Sequence, residues 1–275
     1  MIFCKELNQE YATKQEMFKA LKAKKNEIIG LKKSQIKFSK GINYSFKSDS
    51  GVKNDDSEQL KIGDIVKVAM NTTNYFDYDR DVLIDGSWNK TAKEQNGKTY
   101  HVADHKLEMG KIVAYPKNVE ISIENIEWSK LGKNYPGKTQ VLAFNSKMTD
   151  KTNNDVFMAY RDGEKVEHSI RLLYIKIKLA INSNEESDKE EKAVWDTYYH
   201  KIANKEDVDE VGYFWSITEA QIHKEGSTVI FGANDATPQL KEVVINEPSK
   251  TDTQKQNNQP PKSTGINYDY LISKL

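Results

Sequence analysis

The 275-residue chain is long enough for one domain with extensions or for two small domains. Only 37% of its residues are apolar while 30% are charged, so part of it lacks the apolar surface to pack, and a compact middle with solvated ends is expected. The 41 basic and 41 acidic residues cancel, which removes any charge-based argument for nucleic acid or an anionic membrane as partner.

The single cysteine, Cys4, excludes a disulfide framework within the chain and a Cys-rich zinc site, and suits a reducing cytoplasm. No run of about 18 apolar residues is present, so no bilayer span is expected. The opening Met-Ile-Phe-Cys-Lys-Glu-Leu-Asn lacks the basic and apolar regions of a secretory signal.

In chain order, the first element is a helix over about 13–32. Thr13 and Glu16 stand in capping-box relation, and Met17, Phe18, Leu21 and Ile28 follow at helical spacing. Lys14, Lys22, Lys25 and Lys32 read as its solvated face. Residues 39–60 are rich in Ser, Gly, Asn and Asp and read as a linker, so the expected organisation is a helical extension and linker over 1–60, a domain over 61–245 and a tail over 246–275.

Within the domain, β-branched runs predict strands at Ile62–Ala69, Thr139–Phe144 and Ile170–Ile181; in the last, Ile175, Ile177 and Leu179 alternate with Lys176 and Lys178. A second helix is expected between Asn182 and Glu210, from the Ser187/Glu190 spacing and the recurrence of Val194, Tyr198 and Ile202. Gly212–Gly232 returns to strand character, whereas Asn246–Gly265 is polar and proline-interrupted and is expected to be disordered, ending in a short apolar tip at Ile266–Ile272. The class is α+β, mainly β.

Three groups of residues carry possible chemistry. His101 and His105 are four apart, a metal-ligand spacing on a helix, but the zincin glutamate is replaced by Val102-Ala103 and the flanks read as strand and loop. His168-Ser169 opens the alternating strand; a serine becomes nucleophilic when a neutral imidazole takes its proton, and that imidazole needs an orienting partner on its other nitrogen. His223 and Glu225, two apart and so on one face of a strand, are both candidates for that partner.

The order of these blocks resembles the phage prohead (capsid maturation) serine proteases of the HK97 type, distant relatives of the herpesvirus assemblins. Asp104-His105-Lys106 precedes Gly110-Lys111-Ile112, His168-Ser169-Ile170 leads into a strand, and Glu225-Gly226-Ser227 is followed by Gly232-Ala233-Asn234. Asp81–Trp88 is similar to the segment before the family's histidine block, and the likeness spans roughly residues 62–240. Two positions depart: Arg171 stands where a glycine usually follows Ser-Ile, and Gly226 where an apolar residue usually separates Glu from Ser.

The resemblance implies a cofactor-free and metal-free serine endopeptidase with Ser169 as nucleophile, His105 as general base and Glu225 as orienter. His223 competes for the third place, since assemblins use a histidine there, and Arg171 is a candidate oxyanion donor. It also implies an assemblin-like closed or partly closed β-barrel flanked by helices. The substrates would be major capsid protein and scaffold segments and the protease itself, through self-association, in the assembling procapsid of the host cytoplasm. A non-catalytic capsid-assembly or scaffolding protein and a metal hydrolase on His101 and His105 are the competing classes.

Overall fold

The computed structural model describes residues 1–34 and 59–240; the linker expected over 39–60 lies almost entirely outside these residues, as does the tail from Asn246. Strands β1 (Ile2–Cys4) and β2 (Gln9–Tyr11) form a hairpin, followed by helices α1 (Lys14–Ala23) and α2 (Lys25–Ser34). Then come β3 (Ile65–Thr72), β4 (Asp81–Leu83), α3 (Asn89–Gln95), β5 (Tyr100–Ala103), β6 (Ile112–Ala114), β7 (Val119–Glu127) and β8 (Lys138–Lys147). The remainder is α4 (Asn154–Asp162), β9 (Glu167–Ile181), α5 (Lys189–Tyr198), α6 (Lys205–Val211), β10 (Tyr213–Val229) and β11 (Gln239–Leu240). No helix among the described residues is long and apolar enough to cross a membrane.

The long strand β10 organises one sheet. It runs antiparallel to β9 on one side and parallel to β4 and then β5 on the other, with β6 closing antiparallel on β5. A second sheet has the order β11-β3-β8-β7 and is antiparallel throughout. The expected α+β character is present, while the pairings among the described strands form open sheets and do not close a barrel.

Val68, Met70, Leu142 and Phe144 of the second sheet share one buried core with Ile170, Leu172, Leu179, Trp215 and Ile217 of the first. The sheets approach closely at Gly226, where an added Cβ would lie 2.7 Å from Phe144 Cε2 and 2.9 Å from Met70 Sδ. Glycine at this position is therefore a packing requirement.

Several expectations are corrected. The single helix over 13–32 is two, interrupted at Lys24, although the Thr13/Glu16 capping box forms as read. Its lysines are not a solvated face: Lys22 pairs with Asp188 at 2.6 Å, Lys25 with Glu191 at 2.5 Å and Lys32 with the fully buried Asp81 at 2.6 Å, while Lys14 donates to the Asp209 carbonyl. These cations fasten the helices onto α5, α6 and β4, and Met17, Phe18, Leu21 and Ile28 are buried beneath them.

The Ser187/Glu190 box does not form, because Ser187 Oγ donates to Asp188 and α5 starts without a side-chain cap; Ile202 falls beyond its end. The alternation in β9 is also broken. Register shifts around Glu219 flip the strand's facing, so that Tyr174 and Ile177 are both buried and Ile175 is exposed.

Candidate active site

The parallel pairing of β5 with β10 places Tyr100–Ala103 beside Glu225–Thr228, and the turn leaving β5 carries His105 back over the end of that ladder. The turn is tight: Asp104 N–H donates to the Thr228 carbonyl at 3.0 Å and Lys106 N–H to the Ala103 carbonyl at 3.0 Å. On the other side of β10, the antiparallel register sets Ser169 of β9 directly opposite Ser227. Cross-strand partners have Cα atoms roughly 4.5–5.5 Å apart with side chains on the same face, so Ser169, Ser227 and, two residues along β9, Arg171 face the same way.

His105 is buried over that face. Its Nδ1 lies 3.0 Å from Glu225 Oε1, its backbone N–H donates to Ser227 Oγ at 2.8 Å, and its carbonyl accepts from an Arg171 Nη at 2.8 Å. Arg171 Nε donates to the same Glu225 oxygen at 2.6 Å, so one guanidinium ties the carboxylate to the histidine backbone. A carboxylate oxygen accepts hydrogen bonds, so His105 Nδ1 is the donor in this contact and Nε2 is the ring nitrogen directed away from Glu225. Ser169 is 5% exposed and Glu225 1% exposed, so the groups are sheltered from bulk water.

The structure thus brings His105, Glu225 and Arg171 into hydrogen-bonded contact, with Ser169 on the adjoining strand. Arg171, expected as an oxyanion donor, commits Nε and one Nη inside this cluster. His223, the competitor for the third place, does not share the face of Glu225. Lys224 has φ +67°, and the β9–β10 register slips between Ile222 and Gly226, so the period-two relation between 223 and 225 is lost, and it is Glu225 whose carboxylate lies against His105 Nδ1. His223 stays partly exposed at the edge, where burial and then Lys224 and Arg171 lower its pKa against an upward pull from Glu225.

The reading of His101 with His105 as metal ligands meets a direct obstacle. His101 lies on a strand, fully buried, with Nδ1 2.9 Å from Ser146 Oγ and Nε2 2.9 Å from Thr228 Oγ1, so both ring nitrogens are engaged by hydroxyls. Among the described residues no group of three or more His, Cys, Asp or Glu side chains is placed to hold a metal ion.

His168 belongs to the same buried network. Tyr160 Oη bonds its Nε2 at 2.9 Å and Thr228 Oγ1 at 2.6 Å, and His168 Nδ1 donates to the Thr237 carbonyl at 2.7 Å. Burial lowers His168 to a pKa of about 4 and His101 well below its ordinary value, so both are neutral fillers behind the strands that carry the site.

Sequence reasoning missed the roles of Arg171 as a clamp and of Ser227 as the acceptor of the His105 amide. Position along the strands was the available signal, since residues 169 and 171 share parity, as do 225 and 227. Comparison with protein-family models, curated proteins and solved structures found no match.

Proposed function

We propose that the chain is a serine endopeptidase of the prohead-protease kind. The observation that carries this reading is the 3.0 Å contact between His105 Nδ1 and Glu225 Oε1, on the strand directly beside the one that bears Ser169. In this mechanism Ser169 Oγ attacks the scissile carbonyl carbon while its proton passes to His105 Nε2. The imidazolium, stabilised by Glu225, then gives that proton to the departing amine, and water repeats the cycle on the acyl-enzyme with His105 as base. Glu225 holds the tautomer, and Arg171 positions Glu225 and adds positive charge beside the developing oxyanion.

The substrate class and the setting rest on the block order described above. They are capsid-protein and scaffold segments, and the chain itself, in an assembling procapsid.

The test is a serine-directed phosphonate probe applied to the wild-type chain and to Ser169→Ala, followed by peptide mapping. Labelling at Ser169 that disappears in the variant supports the reading. A folded wild-type chain that takes no label at Ser169 overturns it in favour of a non-catalytic capsid-assembly or scaffolding protein.

A further inference from the structure

His105 sits in a costly backbone state. Asp104 has φ +53° and His105 φ +54°, two consecutive non-glycine residues in the left-handed region that a Cβ disfavours. Such a pair persists only where its surroundings over-determine it. Here the support comes from the two strands that carry the remaining candidate groups. The His105 N–H ends on Ser227 Oγ at 2.8 Å, and its carbonyl accepts from Arg171 at 2.8 Å.

Ser227 is fully buried, and its hydroxyl has the carbonyl oxygens of Val102 and Thr228 each at 3.2 Å. Its proton is therefore spent on a main-chain carbonyl, and an oxygen lone pair faces the His105 amide. The same residue is the direct cross-strand partner of Ser169. One side chain thus touches the backbone of the candidate base and stands opposite the candidate nucleophile.

We propose that Ser227 is a positioning residue, which by accepting the His105 amide holds the left-handed Asp104-His105 pair and so keeps the imidazole against Glu225. The proposal rests on the reading of Ser169, His105 and Glu225 as the catalytic groups. Without the hydroxyl, the turn loses the side-chain acceptor of that amide, and the pair relaxes toward negative φ, carrying Nδ1 away from the carboxylate. Misplacing a reacting group by about 1 Å is sufficient for a rate loss of ~10².

The experiment uses the full chain and the phosphonate probe, whose saturable labelling separates a binding constant from a maximal rate. Ser227→Ala should lower the maximal labelling rate ~100-fold with the binding constant unchanged. A glycine at 104 adopts positive φ without penalty, and Asp104 is exposed, so adding Asp104→Gly to Ser227→Ala should recover at least ~10-fold. A residue that merely fills the core would not be rescued from the turn. In ¹⁵N-histidine NMR, the hydrogen-bonded Nδ1–H of His105, assigned by its absence in His105→Gln, should be present in the wild type, lost in Ser227→Ala and regained in the double variant.

A Ser227→Ala chain that labels within threefold of wild type, or one whose rate is not recovered by Asp104→Gly, overturns the proposal. If the wild type takes no label at Ser169, the protease reading has failed, and the NMR signal alone decides: its persistence in Ser227→Ala overturns the positioning role and its loss supports it. Should Ser227→Ala not fold, Ser227→Thr retains the hydroxyl and must retain the signal; loss of the signal in folded Ser227→Thr overturns the proposal.

Discussion

Replacing Glu225 by glutamine separates charge from shape at the centre of the cluster. The amide is nearly isosteric but uncharged, and it removes the counter-charge of Arg171, whose side chain is 23% exposed against 1% for Glu225. Breaking a buried pair from one side costs about 3–5 kcal/mol, and the partial solvation of Arg171 brings the expected stability loss to about 2–3 kcal/mol. The effect on chemistry is larger. A triad whose orienting carboxylate becomes an amide can hold the wrong imidazole tautomer and loses ~10⁴ in turnover, about 5 kcal/mol of transition-state stabilisation. The two effects part company in the double variant Glu225→Gln/Arg171→Met, where no unbalanced cation remains. Urea midpoints should return most of the way to wild type, while Ser169 labelling and peptide cleavage stay down by ~10⁴. His223→Ala should cost far less than Glu225→Gln. If cleavage recovers in step with stability in the double variant, Glu225 is a structural anion and the orienter assignment is wrong.

Acid sensitivity should follow from the buried histidines: His168 has a folded pKa of about 4 against an ordinary value of 6.5, so its contribution to stability is complete above pH 6.5 and is lost as pH falls toward 4. Between pH 7 and 5 this one group amounts to about 2 kcal/mol, with His101 acting in the same direction, and urea unfolding that is flat over that range in the wild type would refute the burial argument. Gly226→Ala should destabilise by about 1–3 kcal/mol through overpacking against Phe144 and Met70; a melting temperature unchanged from wild type would mean that the sheets can separate there at no cost. Lys32→Met removes the cation of the fully buried Asp81 and should cost about 3 kcal/mol, most of it restored by adding Asp81→Asn; an additive double variant would show that the pair is not coupled.

The strands that carry the site were legible because their apolar patterning is local. β3, β8, β9 and β10 fall where β-branched runs predicted them, and the α1 start is set by two residues three apart. Elements whose signal is shared with polar surface were not read. β7 alternates Val119, Ile121 and Ile123 with Glu120, Ser122 and Glu124, and α4 has Asn153 as cap and Gly163 at its end, yet both are charged enough to pass for loop. The N-terminal lysines were misread for a different reason. Their partners Asp81, Asp188 and Glu191 lie far away in sequence, so whether a lysine is solvated or fastens a helix is decided by tertiary contact alone.

The residues that cluster around His105 stood out in the sequence but their contacts did not, and the physical reason is the backbone irregularity at Lys224. Period-two reasoning treats 223 and 225 as equivalent, so it cannot choose between an imidazole and a carboxylate as partner for His105. One residue at φ +67° removes the equivalence and leaves Glu225 buried beneath His105 and His223 at the rim. The same turn chemistry hides Ser227. A serine in a strand reads as a neutral filler until a neighbouring turn at positive φ presents an amide that needs an acceptor, and neither Asp104 nor His105 is a residue whose type announces positive φ in the way glycine does. The irregular backbone at 104–105 and at 224 aims His105 at Glu225, and it falls where local sequence rules give no guidance. That coincidence is expected of a site in which strain is held by the surrounding structure to fix a reactive geometry.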